Sequence, residues 1–305
     1  MRVTDRLVFE NASRNTGRAR EAAQQAVEAA SSGMRVQHPG DDPTAAGLVL
    51  AHRASRDRFT AIASAAGAAS DELAAADSAL DGVSTALTRA RELAIQLSNS
   101  TYSADERNSG AAEVDGLLKQ IVSSLNSRTG NRYIFGGSQD DAPPFQYDAG
   151  TGAVSYVGAN DAREVEIAPG VLQQASVRAD VALKGLPVAA GSPPGTDVMQ
   201  TLQDLRDALR ADSVGGVQNT LERLGSGVSQ LAAARAQAGV SMSTFDTAKA
   251  AAKVTSDQET ARAGKLAEVD FAKAAIQLQA TQTALEASYA ATAQSFRLSI
   301  LSYLK

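Results

Sequence analysis

FTAIASAAGAASDELAAADSALDGVSTALTRARELAIQL, Phe59 to Leu97, is the stretch that decides the fold. Phe59, Ile62, Ala66, Ala69, Leu73, Ala76, Leu80, Val83, Leu87, Ala90, Ala94 and Leu97 follow one another at alternating steps of three and four. On a helix that spacing keeps one apolar edge in line, as in a coiled coil or a bundle. At 1.5 Å per residue such a helix is about 58 Å long, beyond the usual globular helix. Asn99-Ser100-Thr101 ends it. Ser103-Ala104-Asp105-Glu106 then forms a capping box for a second helix carrying Val114, Leu117, Leu118, Ile121, Val122 and Leu125. That helix is expected to stop near Thr129-Gly130-Asn131.

On the N-terminal side, Asp42 is placed to cap a helix opened by Pro43. Met34–Asp42 is a loop. Residues 1–33 read as a helix with a thin seam of Val8, Ala12, Asn15, Ala19, Ala22, Ala26 and Ala29, and Gly33 gives it a left-handed stop. Alanine contributes little area to a seam, so this helix is marginal without a partner.

The pattern changes after Arg132. Tyr133-Ile134-Phe135 is a strand-like run before Gly136-Gly137. Gly150-Thr151-Gly152 separates two aromatic-bearing runs and predicts a hairpin. Val165, Ile167, Val177, Val181 and Leu183 continue the strand-like reading up to Pro193-Pro194-Gly195. Helical pattern resumes with Thr196 as the expected N-cap and Val198, Leu202, Leu205 and Leu209 on one face. A hinge is expected at Gly215-Gly216. A second seam of Leu221, Leu224, Val228, Leu231, Ala238, Met242 and Phe245 follows, interrupted by Arg235 as a solvated edge or a buried pair. From about Val269, a bulkier seam holds Phe271, Ala275, Leu278, Gln282, Leu285, Tyr289, Thr292, Phe296 and Ser299, with Tyr303 extending it.

The fold class is therefore mainly α: long antiparallel helical rods, a coiled-coil-like bundle built from both chain ends, with a small β domain inserted in the middle. The expected boundaries are 1–42 for an N-terminal helix and loop, 43–137 and 196–265 for the two halves of the rod domain, 138–195 for the β domain, and 266–305 for a C-terminal helix. The helices at 1–42 and 266–305 belong to one terminal domain. A chain with an amphipathic segment at each end is built to polymerise. Val8, Ala12, Ala19 and Ala26 at one end and Phe271, Leu278, Leu285, Tyr289, Phe296 and Tyr303 at the other are the candidate packing residues. Their helices are too thin to offset the entropy of ordering, so the ends are expected to be loose in the lone chain and to fold on assembly.

Composition narrows the chemistry. The 305 residues carry 29 basic and 34 acidic side chains, a net charge of -5, which argues against a nucleic-acid partner. The absence of cysteine excludes disulfides, thiolate metal sites and a cysteine nucleophile. His38 and His52 leave little room for imidazole chemistry. No run approaches the ~20 apolar residues of a membrane span, and the N-terminus lacks the apolar core of a cleavable signal. Asp41-Asp42 reads as capping in a turn rather than as an acid–base pair. Gly136-Gly137 lacks the Lys-Ser/Thr of a phosphate loop. Phe271, Tyr289, Phe296 and Tyr303 are packing knobs rather than a cofactor lining. No catalytic, cofactor-binding or metal residue is assigned.

Two segments carry a family resemblance. Ser31-Ser32-Gly33-Met34-Arg35-Val36, followed by Gly40-Asp41-Asp42-Pro43-Thr44-Ala45-Ala46-Gly47, resembles the N-terminal signature of the flagellin superfamily. QLQATQTALEASYAATAQSFRLSILSYL is similar to that superfamily's terminal helix, best at Gln282, Ala284, Leu285, Ala287, Ser288 and Tyr289. The signature positions are Gly33, Arg35, Asp41, Asp42 and Pro43. Tyr133, Ile134 and Phe135, within Arg132–Gly137 and with Pro144-Phe145 downstream, resemble the signature of the hook-associated branch that joins hook to filament. His38 departs from the family, which often has Asn there. The resemblance implies a structural protein of the bacterial flagellum, exported without a cleaved signal to an extracellular position. It implies as partners hook-associated protein 1, flagellin, further copies in a ring-like layer, and an export chaperone at the C-terminal helix. The alternatives are a filament flagellin, a hydrolase housed in the β insert, and a cytosolic coiled-coil scaffold.

Overall fold

The structure is a computed structural model and describes residues 2–187 and 192–303; the side chains of residues 2–6, 8 and 295–303 lie outside that description. In chain order it contains α1 (Arg2–Ser32), α2 (Pro43–Leu97), α3 (Ala104–Leu125), β1 (Arg128–Thr129), β2 (Arg132–Tyr133), β3 (Phe145–Tyr147), β4 (Val154–Tyr156), β5 (Glu164–Ala168), β6 (Val171–Gln174), α4 (Ala179–Ala182), α5 (Val198–Arg210), α6 (Val214–Ala267) and α7 (Phe271–Tyr303). The chain divides into two compact units, Phe59–Val254 and Met1–Arg58 with Thr255–Lys305.

In the unit Phe59–Val254, the heptad edge of α2 is the core. Ile62, Ala66, Ala69, Leu73, Ala76, Leu80, Val83, Leu87, Ala90, Ala94 and Leu97 are all buried. Val114, Leu118, Ile121 and Leu125 of α3, Leu202, Leu205 and Leu209 of α5, and Leu224, Leu231 and Phe245 of α6 close around them. α2 and α6 run antiparallel, because Ser70 bonds Asp246 (3.2 Å) while Arg235, lower in α6, reaches Asp77 and Asp81 (2.8 and 2.6 Å). The break that Arg235 makes in the heptad is therefore an ion pair across the two helices. Buried Arg107 donates to the carbonyls of Leu97 and Asn99, both at 3.1 Å, and pairs with Asp212. It thereby satisfies the end of α2, where helix carbonyls lack a partner of their own. Ser103 and Glu106 form the capping box of α3.

The strands form three separate two-stranded antiparallel ribbons, β1–β2, β3–β4 and β5–β6. Short ribbons are marginal by themselves, and polar contacts hold these on the helices. The Asn126 amide bonds both backbone groups of Phe145 (3.0 and 2.7 Å). The Tyr147 hydroxyl donates to Asp115 (2.8 Å), and buried Arg206 donates to the carbonyl of Gly152 (2.6 Å). Arg163 meets the buried Glu72 of α2, and Gln173 donates to Ser241 of α6 (3.4 Å).

Several local expectations are corrected. The strand-like reading of Val181 and Leu183 gives way to the short helix α4, ended at Leu183. α3 ends at Asn126, because residues 128–129 pair with 132–133 as a hairpin. Of the run Tyr133-Ile134-Phe135 only Tyr133 is in a strand; Ile134 and Phe135 are buried in the turn that follows. Asp197, not Thr196, caps α5, its carboxylate accepting from the N–H of Gln200 (2.9 Å). Gly215-Gly216 is no hinge but the first turn of α6, capped by Ser213. The chain turns at Asp212, in the left-handed region at φ 52°.

In the other unit, α1 and α7 lie antiparallel: Thr16 meets Thr292 through their hydroxyls (3.1 Å), and the Phe271 ring covers Gly33 at the opposite end. The first turns of α2 and the last of α6 meet at His52 and Glu259, 2.5 Å apart, and at an apolar cluster of Val49, Ala263 and Ala267.

Candidate assembly site

α1 and α7 touch along stripes of small residues. On α1 the covered positions include Ala12, Thr16, Ala19, Ala23, Ala26, Ala29 and Ala30. On α7 they are Ala274, Leu278, Thr281, Leu285, Ser288 and Thr292. Both follow the four–three alternation, so two straight helices stay in contact along their length. Ala and Thr make that contact close but poor in apolar area, so the pair gains little free energy from it.

The sequence-predicted residues divide between the inside and the outside of this pair. Ala12, Ala19, Ala26, Leu278 and Leu285 lie on the contact stripes. Phe271 and Tyr289 do not: they are 69% and 50% exposed, and Ile276, which the sequence reading missed, is 68% exposed. Val8, Phe296 and Tyr303 have side chains outside the described residues. The expected seam of α7 is thus split: Leu278, Leu285 and Thr292 face α1, while Phe271, Ala275, Gln282 and Tyr289 are exposed. An alanine-rich helix allows several heptad frames, and Ala23, Thr281 and Thr292 gave no bulk by which to choose among them.

The signature residues of the N-terminal loop serve one local purpose. Gly33 sits at φ 70°, ends α1, and accepts at its carbonyl from the N–H of Val269 (2.9 Å). Arg35 and Val36 donate from their backbone N–H groups to Ala267, and the Arg35 guanidinium reaches the Leu266 carbonyl (3.0 Å) and the Asp42 carboxylate (2.9 Å). Asp42 also caps α2 through the N–H of Ala45 (3.0 Å). Asp41 accepts from the N–H groups of His38 and Gln37 (2.8 and 3.0 Å). These donors hold both carboxyls below the usual carboxylate range, backbone N–H groups being the largest cause in each and Arg35 the next for Asp42. Pro43 opens α2. The loop between α1 and α2 is in this way stitched to the link between α6 and α7. Glu259 is held low as well, first by its bond to His52 and then by Arg262.

Arg132–Gly137 is a tight corner. Phe135 is fully buried, and Gly136 lies so close to the backbone of Gln139 and Asp140 that a side chain does not fit. Gly137 is left-handed at φ 65°, and the next N–H, from Ser138, bonds Asp161 (2.8 Å). Tyr156 closes the corner by donating to the Ala159 carbonyl (2.7 Å), and its burial pushes the phenol up to about 12. Among the described residues, no three or more His, Asp or Glu side chains gather as metal ligands, and no helix is long and apolar enough to cross a membrane.

Residues 5–140 match the bacterial flagellin N-terminal helical region, and residues 221–304 match the bacterial flagellin C-terminal helical region. The chain belongs to the flagellin family. Within that family its similarity to flagellar hook-associated protein 3 of Escherichia coli runs end to end, at 25% identity over all of both chains. A Clostridium tyrobutyricum flagellin is 32% identical over 130 residues, which are 42% of this chain and 34% of that one. The fold resembles a putative flagellar hook-associated protein from Vibrio parahaemolyticus, with a TM-score of 0.63 and 19% identity over 75% of this chain and all of that one.

Proposed function

We propose that this chain is a structural component of the bacterial flagellum that joins hook to filament, without catalysis of its own. The observation that carries this reading is the end-to-end similarity to a hook-associated protein, against the partial similarity to a filament flagellin. The geometry supplies a physical means. α1 and α7 cover each other through small residues while Phe271, Ile276 and Tyr289 stay uncovered, ready for neighbours. Burying them against further copies adds the apolar area that the pair itself lacks. The end helices thus become firm only in the assembly, where they form the inner part of a ring-like layer.

In this reading hook-associated protein 1 lies on the hook side and flagellin on the filament side. Before export an export chaperone covers the bulky face of α7. The protein works outside the cell and leaves it without a cleaved signal. Domain roles follow the sequence boundaries: 1–42 and 266–305 carry the contacts of assembly, 43–137 and 196–265 supply the two rod halves, and 138–195 supplies the β region. The test is imaging of a strain lacking the gene. Intact hooks without filaments, and flagellin shed into the medium, are expected. Normal filaments on that strain would overturn the reading.

A further inference from the structure

The stripes of α1 and α7 fit each other in more than one register. Sliding α1 along α7 by seven residues, away from the Gly33 end, is a shift of about 10 Å. It would put Ala19, Ala23, Ala26 and Ala30 in the places of Ala12, Thr16, Ala19 and Ala23. Three alanines then replace alanines, and the fourth replaces a threonine. The Thr16–Thr292 contact (3.1 Å) marks the observed register but holds it weakly, because the Thr292 hydroxyl also donates to the Ser288 carbonyl of its own helix (2.7 Å). The chain connections leave the register open as well. Three residues, 268–270, join α6 to α7, but ten, 33–42, join α1 to α2. Ten extended residues span roughly 33 Å, ample slack for a shift of one heptad.

The joint between that loop and the α6–α7 link takes up the slack. Met34 pairs with Glu268 in an antiparallel bridge, and the Val269 N–H donates to the Gly33 carbonyl (2.9 Å). Arg35 adds the side-chain anchor. Its backbone N–H donates to the Ala267 carbonyl (2.6 Å), and its guanidinium spans the Leu266 carbonyl at the end of α6 (3.0 Å) and the carboxylate of Asp42, the cap of α2 (2.9 Å). We infer that Arg35 is a positioning residue that sets the register of α1 against α7, and with it the place of the exposed Phe271, Ile276 and Tyr289 relative to α1. An exposed ion pair contributes little to stability. Between registers that bury nearly the same residues, a small contribution decides which one is populated.

The chain has no cysteine, so pairs of thiols can be introduced without competition. Thr16→Cys/Thr292→Cys reports the observed register. Ala23→Cys/Thr292→Cys reports the register shifted by one heptad, since in the observed one these positions lie about 10 Å apart along the helices, beyond the ~7 Å between α-carbons that a disulfide spans. Disulfide closure traps a register even when the ends pair only part of the time. Initial rates of closure are measured in the purified full-length chain, with Arg35 and with Arg35→Ala. With Arg35 the first pair is expected to close at least tenfold faster than the second. With Arg35→Ala that ratio is expected to fall below about threefold. Asp42→Asn, which retains a cap for α2, is expected to lower the ratio in the same direction. If Arg35 only held the ends together without aligning them, Arg35→Ala would slow both pairs equally and leave the ratio unchanged. That result overturns the inference, as does equal closure of the two pairs in the chain that keeps Arg35. The measurement needs no flagellum, so its failure leaves the junction reading standing.

Discussion

Charge placed on the two faces of α7 should have opposite consequences in the lone chain and in the assembly. Leu285 lies on the stripe against α1, and Tyr289, one turn on, points away. Leu285→Asp removes an apolar contact worth about 2 kcal/mol for a mostly covered leucine. In a pair held by alanine and threonine that is a large share of the local stability. Amide exchange across α1 and α7 should rise roughly 30-fold, the factor such an energy carries. Tyr289→Asp should leave exchange in the lone chain within about twofold. Its cost appears on assembly. Half of the ring is exposed, so about 100 Å² is available to a neighbour, or about 2.5 kcal/mol per copy at ~25 cal/mol per Å². Hydrogen exchange by mass spectrometry on purified chain and an incorporation assay in flagellated cells separate the two effects. If Tyr289→Asp loosened α1 and α7 as much as Leu285→Asp, or entered particles at the wild-type level, the division of α7 into two faces would be wrong.

Three further outcomes are expected. Gly152→Ala should destabilise the unit Phe59–Val254 by about 2–3 kcal/mol in denaturant unfolding, because Gly152 is left-handed and the Arg206 guanidinium lies where the new methyl would go. Gly170→Ala, equally left-handed but in open space, should cost only about 1 kcal/mol, and equal costs would contradict this. Glu259 has its carboxyl held below the ordinary glutamate range, so its contribution is complete above that range and fades as the pH falls through the lowered value. Acid should therefore lower the protection of the amides around His52 and Glu259, relative to their intrinsic exchange rates, in the wild type, and Glu259→Gln should remove that loss. Tyr156, pushed up to about 12, favours the folded state while neutral, so its contribution is lost as the pH rises from ~10 toward that value. Ultraviolet titration should find a phenol ionising at about 12, and Tyr156→Phe should abolish that step.

Bulk decided what could be read in the sequence. The edge of α2 alternates Ala with Leu, Ile and Val, so only one heptad frame buries the large residues, and every position from Ile62 to Leu97 on that edge is buried. The capping box at Ser103 and the stop at Gly33 were equally legible, because each needs a particular side chain or a left-handed residue. The ends were not. Alanine fits any frame, so Phe271 and Tyr289 were grouped with Leu278 and Leu285 although both are largely exposed. Val181 and Leu183 have strand-like composition but are held in α4, where Asp180 is fully buried against Arg178 and accepts at its carbonyl from Leu186. The anchors of the ribbons, Glu72 with Arg163 and Arg206 with Gly152, join residues 91 and 54 positions apart, and no local pattern announces such pairs. Signature residues were found by resemblance, while their purpose, stitching Gly33–Asp42 to Leu266–Val269, came only from the hydrogen bonds.

The most direct measurement compares hydrogen exchange at the α1 and α7 amides in the purified single chain and in isolated hook–filament particles. The account predicts weak protection, lost within minutes, for the first and protection higher by several orders of magnitude for the second, with α2 and α6 between residues 66 and 245 protected in both. Strong protection of α1 and α7 in the single chain, unchanged in the particles, would contradict it.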